Sequence, residues 1–113
     1  MAGFDVLVKT RGDYAIVCTD GYINNEGGEQ VARECFQLID QGYHHLILNL
    51  EKSKIVNSLG ISMLIEVIER VSEIGGSIAF CELTPTIAKM FKMMGIEQYA
   101  RVFPHEEDAI RAL

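Results

Sequence analysis

The sequence predicts an α/β domain built on a mixed sheet of about five strands with helices, in the order ββαβαβαβα. Three observations carry this expectation. The apolar pattern switches between short β-rich runs and stretches of helical spacing. The turn Arg11-Gly12-Asp13 joins two β-rich runs into an opening hairpin, one antiparallel pairing in the sheet. Every later strand is separated from the next by a helix, which calls for crossover connections and a sheet covered by helices.

Each element has its own signal. Phe4, Val6 and Val8 alternate with Asp5, Leu7 and Lys9, and Tyr14 to Thr19 forms the second run. Asp20-Gly21-Tyr22-Ile23-Asn24-Asn25 reads as a polar loop completed by Gly27-Gly28. From Glu29 the period becomes helical through Val31, Cys35, Leu38 and Ile39, and Gly42 supplies a stop. His45 to Leu50 carries no acidic or basic charge inside it and suits a central strand buried on both faces. A long helix follows from Ser58 to about Ile74, ended by Gly75-Gly76. Ser77 to Cys81 is a further buried strand. Thr84-Pro85 is a helix start, a capping hydroxyl before proline at the first helical position. Ile87, Met90, Phe91 and Met94 mark its apolar face, and Gly95 closes it. A short strand near Ala100-Val102-Phe103 leads to a last helix with Ala109, Ile110 and Leu113 on its apolar side.

The 113 residues fit one domain, with 49% hydrophobic and 23% charged residues. No apolar run approaches the ~20 residues of a membrane span. Met1-Ala2-Gly3-Phe4-Asp5 has neither a basic start nor an apolar stretch, so a secretory signal is not expected. A net charge of −6 and a pI near 4.9 argue against a nucleic-acid partner, which needs a basic face for phosphates. Cys18, Cys35 and Cys81 are odd in number, widely spaced and set among apolar neighbours, which reads as free thiols in a reducing cytoplasm.

Enzyme signals are missing. No phosphate-binding glycine loop is present, and Gly27-Gly28 lacks a following Lys-Ser/Thr. His44 and His45 enter a strand together and point to opposite faces, so they do not make a metal site. His105 precedes Glu106, Glu107 and Asp108, the acidic first turn of a helix. Nothing ties a histidine to a nucleophile. No catalytic residue, metal or cofactor is expected.

The informative segment is Lys54-Ile55-Val56-Asn57-Ser58-Leu59-Gly60-Ile61, which joins a buried strand to the longest helix. Ser58 sits where an N-cap belongs, with Asn57 as the competing choice. On the helix, Ser62, Glu66, Glu69 and Glu73 form a polar stripe, whereas Gly60, Met63, Leu64, Val67, Ile68 and Val71 face the sheet. Leu59 projects near the polar stripe, a large apolar group at the surface. A phosphate on Ser58 would meet unpaired backbone N–H groups and the positive helix pole, adding negative charge without breaking the fold.

Leu46-Ile47-Leu48-Asn49-Leu50 followed by Asn57-Ser58-Leu59-Gly60 resembles the bacterial anti-sigma-factor antagonists of the STAS domain family. The turn at Ile74-Gly75-Gly76 and the stretch Leu83-Thr84-Pro85 through Phe91 and Met94-Gly95-Ile96 are similar as well. The resemblance covers nearly the whole chain. It implies partner switching: an unphosphorylated antagonist binds an anti-sigma factor that is also a serine kinase, and phosphorylation of a serine at this helix start ends the binding. That serine corresponds to Ser58, and the family's Asp-Ser-Ser/Thr-Gly reads Asn57-Ser58-Leu59-Gly60 here. A second family aspartate, in the loop after the second strand, falls on Asn24. The implied docking surface comprises Asn24, Asn25, Asn57, Ser58, Leu59 and Ser62. The alternative is an adaptor or scaffold on the same fold, without phosphorylation, in a sensor or transport-associated complex.

Overall fold

The computed structural model describes residues 3–113. Two antiparallel strands open the chain, β1 (Asp5–Arg11) and β2 (Tyr14–Asp20). Then come α1 (Asn25–Asp40), β3 (His45–Lys52), α2 (Ser58–Glu73), β4 (Ser77–Cys81) and α3 (Pro85–Met93). A 3-10 turn (Ile96–Gln98), β5 (Arg101–Phe103) and α4 (Glu106–Arg111) complete it. The sheet order is β1-β2-β3-β4-β5, with β1 antiparallel to β2 and every other pair parallel. The ββαβαβαβα order read from the sequence is the order observed.

The layering follows from that strand order. Each crossover steps to the next strand on the same side, and crossovers are right-handed, so the connecting helices land on one face. The core accordingly lies between that face and the helices: Val17, Leu46, Leu48, Leu50 and Phe80 from the sheet pack with Val31, Cys35, Leu64, Val67, Ile87 and Phe91. Each such side chain contributes about 1.5–3 kcal/mol by leaving water. Phe80 and Phe91 meet edge to face with centroids 4.9 Å apart. Alternation turns Ile16, Ile47, Ala79 and Cys81 to the other face, where short α4 covers them through Ala109 and Ile110. Two buried hydroxyls, Thr19 at the end of β2 and Ser53 just past β3, satisfy each other at 2.6 Å.

Three sequence expectations need correction. First, α1 begins at Asn25, so Gly27 and Gly28 lie inside its first turn. A Cβ on Gly27 would stand 2.7 Å from the Tyr22 carbonyl oxygen, and one on Gly28 would stand 3.0 Å from the Met63 side chain. Residues that look like loop punctuation are there for close packing. Second, α3 ends at Met93 and Met94 is exposed; Ile96 in the 3-10 turn fills the core position instead. Third, Leu113 is exposed, because α4 stops at Arg111.

Candidate functional site

After β2 and β3 separate, the two chain segments that follow them stay zipped together. The Gly21 N–H donates to Lys52 O at 3.0 Å, Ile23 N–H to Ile55 O at 3.2 Å, and Asn57 N–H to Ile23 O at 3.2 Å. Ile23 and Val56 form a parallel bridge and are both buried. The starts of α1 and α2 are therefore held side by side and point the same way.

Both helices are capped by asparagine. Asn24 Oδ1 accepts from Gly27 N–H at 2.9 Å, and Asn57 Oδ1 accepts from Gly60 N–H at 2.8 Å. This corrects the expectation of Ser58 as the cap: Ser58 is the first helical residue of α2. The bond from Asn57 N–H to Ile23 O holds Asn57 extended, at φ −100° and ψ −179°, so its side chain is the one that reaches back over the first turn. With Gly60 N–H taken by the cap and Ile61 N–H by Asn57 O, the first-turn donors left without a partner among the described residues are Ser58 and Leu59 N–H.

Gly60 sets how tightly this end is built. A Cβ there would lie 2.0 Å from the Ile23 carbonyl oxygen, and one on Gly28 would lie 3.1 Å from Gly60 Cα. The close neighbour at Gly60 is thus the bridged segment before α1, not a strand. Two parallel helix poles converge, each equivalent to about half a positive charge. The first turn of α1 contains Glu26, whereas that of α2 contains no acid. The start of α3 joins the same end, since Thr84 Oγ1 receives the Ile87 N–H and donates to Lys54 O at 3.0 Å.

The expected site residues fall together here. Asn25, Ser58, Leu59 and Ser62 are exposed, and Asn24 and Asn57 are half-buried at their caps. Ser62 Oγ donates to Ser58 O at 3.0 Å. Two residues were not assigned from the sequence: Tyr22 is 44% and Ile55 is 46% exposed, and with Leu59 at 55% they give this end large apolar side chains at the surface. For Ile55 the signal was available, because Ile55-Val56 alternates and Val56 is the inward member.

Among the described residues no histidine or carboxylate is hydrogen-bonded to the Ser58 hydroxyl. His45 bonds Ser77 Oγ at 2.7 Å at the opposite end of the strands, and His105 faces Glu82 at 3.5 Å. Among the described residues no group of three or more His, Cys, Asp or Glu is placed to hold a metal ion. Burial pushes the Cys35 and Cys81 thiols up to about 12, and burial also raises Cys18, so none is an activated nucleophile. Two clefts, of about 670 and 690 Å³, are lined by other residues, Lys9, Asn49 and Glu106 in one and Ile68, Met94 and Tyr99 in the other. Among the described residues no helix is long and apolar enough to cross a membrane.

The family model of the STAS domain matches residues 5–109. The chain belongs to the STAS domain family. One relative is BtrV of Bordetella bronchiseptica, whose name places it with the anti-sigma factor antagonists. It is 26% identical over 89 residues, 79% of this chain and 74% of BtrV. Among solved structures, an anti-sigma factor antagonist from Thermotoga maritima superposes with a TM-score of 0.88 at 15% identity, covering 95% of this chain and 92% of its own. The Bacillus cell fate determinant SpoIIAA in its phosphorylated form gives 0.73 at 20% identity, covering 98% and 100%. At these identities the structural likeness shows the STAS fold.

Proposed function

We propose that this STAS protein is an anti-sigma factor antagonist that works by partner switching. It docks on an anti-sigma factor that is also a serine kinase, through Asn24, Asn25, Asn57, Ser58, Leu59 and Ser62, and phosphorylation of Ser58 ends the binding. The observation that carries the reading is the position of Ser58: exposed at the first residue of α2, beside two N–H groups without a partner among the described residues and two converging helix poles. A phosphate there gains about 0.3–2 kcal/mol from the pole. It adds about −1.5 to −2 charge. The fold survives, and the surface around Tyr22, Ile55 and Leu59 gains a strong anionic charge where the first turn of α2 itself carries no acid. A partner that buries those side chains then has to desolvate the phosphate, which costs more than the contact returns.

In this reading the chain acts as a single cytoplasmic domain, a regulator and not an enzyme, with no cofactor, nucleic acid or membrane span. The test is capture of the partner from the native cell with intact-mass measurement of the chain. A kinase-type partner bound to unmodified protein, with a phosphate adduct on Ser58 in the unbound pool, is the expected result. A second reading, an adaptor or scaffold without phosphorylation, is favoured by Asn24 and Asn57, whose amides cap as aspartates would but bring no carboxylate to the serine. Ser58 unmodified in both pools, together with a Ser58→Asp variant that still binds, would select it.

A further inference from the structure

β1 is an edge strand, and its outer side carries a pattern that fits a second copy of itself. The hairpin closes on Arg11 opposite Tyr14, with Gly12 at φ +56° in the turn. In a two-residue hairpin the closing pair exchanges its hydrogen bonds, and the pattern then alternates. The N–H and C=O groups of Leu7, Lys9 and Arg11 therefore face β2, and those of Val6, Val8 and Thr10 face outward. Side chains alternate as well. Val6 and Val8 pack toward α1, whereas Lys9 reaches Glu106 of α4 at 3.3 Å, which places Asp5, Leu7 and Lys9 together on the α4 face. Leu7 is 63% exposed there.

Edge strands are ordinarily guarded by charge. On β1 the charges guard nothing against an identical strand. Turned antiparallel about Leu7, Asp5 of each copy stands opposite Lys9 of the other, Leu7 meets Leu7, and Val6 meets Val8. Opposite charges on directly facing residues stabilise a pair, and like charges oppose it. The outward N–H and C=O groups of Val6 and Val8 then complete one another. We propose that β1 pairs with β1 of a second copy in this register, joining two five-stranded sheets into one and covering Leu7. Antiparallel pairing sends the two Ser58 ends in opposite directions, so both docking surfaces stay open. A pair of strand edges falls short of the ~1,200 Å² of a stable complex, so the association is weak and concentration-dependent.

The test is sedimentation equilibrium of the full chain from micromolar to millimolar concentration, with circular dichroism to verify the fold of each variant. The weight-average mass is expected to rise from 12.6 kDa toward twice that value. Asp5→Lys, which sets two lysines opposite each other, and Lys9→Asp, which sets two aspartates, each weaken self-association tenfold or more. The double variant Asp5→Lys/Lys9→Asp restores it, and Leu7→Lys abolishes it. A chain that stays at 12.6 kDa throughout overturns the proposal. So does rescue of Asp5→Lys by Arg11→Asp in place of Lys9→Asp, because that would centre the pairing on Val8.

Discussion

Asn24 and Asn57 cap neighbouring parallel helices with the same bond, to Gly27 at 2.9 Å and to Gly60 at 2.8 Å. Between cap and glycine the two helices diverge. α1 carries Asn25-Glu26, and the Glu26 carboxylate offsets its own helix pole. α2 carries Ser58-Leu59, a hydroxyl and an exposed apolar group, with no acid in the turn. The cap and the glycine are what the fold requires of both. The two residues between them are where one helix start becomes a candidate switch and the other does not.

The largest expected effect tests the seating of the two starts. Gly60→Ala drives a methyl to 2.0 Å from a carbonyl oxygen, against 2.7 Å for Gly27→Ala. Urea denaturation should show a loss of about 3 kcal/mol or more for Gly60→Ala and a smaller loss for Gly27→Ala. Equal losses would mean that α2 is no more tightly seated than α1.

Next comes the functional difference. Ser58→Asp should lower affinity for the captured partner by tenfold or more, roughly 1.4 kcal/mol or above, with the circular dichroism spectrum unchanged. Asn25→Asp, at the equivalent place on α1 within the same docking surface, should cost clearly less than Ser58→Asp. If both variants lose binding equally, charge anywhere on this end is sufficient and Ser58 is not special.

An alkaline titration separates the helices by their buried faces. α1 buries Cys35, whose thiol is pushed up to about 12 from 9.0, whereas the buried face of α2 has no titrating group. The unfolded thiol ionises from pH 9.0 and the folded one only near 12, so this contribution is intact below pH 9.0 and is lost as pH climbs toward 12. Stability should fall by on the order of 1 kcal/mol at pH 10 for Cys35, with Cys81 acting in the same direction. Cys35→Ala should flatten that decline, read from urea midpoints at pH 8 and pH 10; an unchanged slope would sink the assignment. The smallest contrast concerns the caps: Asn24→Ala and Asn57→Ala should each cost about 1 kcal/mol, and thermal melts that differ clearly would show that the two caps are not equivalent.

What the sequence revealed depended on whether the signal was local. Thr84-Pro85 marked the start of α3 correctly because cap and proline both act within one turn. His45 to Leu50 read as a buried strand because alternation matters little when both faces are covered. The start of α1 was misplaced by four residues, since Gly27 and Gly28 are explained only by Tyr22 and Met63, which are near in space. The cap of α2 lay between two adjacent residues, and a bond to Ile23 from outside the segment chose Asn57. At the candidate site, the exposure of Leu59 was legible from helix phase, whereas Ser58 was placed one position too early, as the cap. Tyr22 was hidden inside a segment that read as an ordinary polar loop.

The Ile23–Val56 bridge has a further consequence, measured in time and not in distance. Amide protons at Gly21, Ile23 and Asn57 sit in what would otherwise be loops, yet each is bonded across to the neighbouring segment. Their hydrogen exchange should be slow, as in the strands they extend. A surface held still in this way loses little conformational freedom when a partner arrives, and encounter is governed by diffusion and charge instead of by folding.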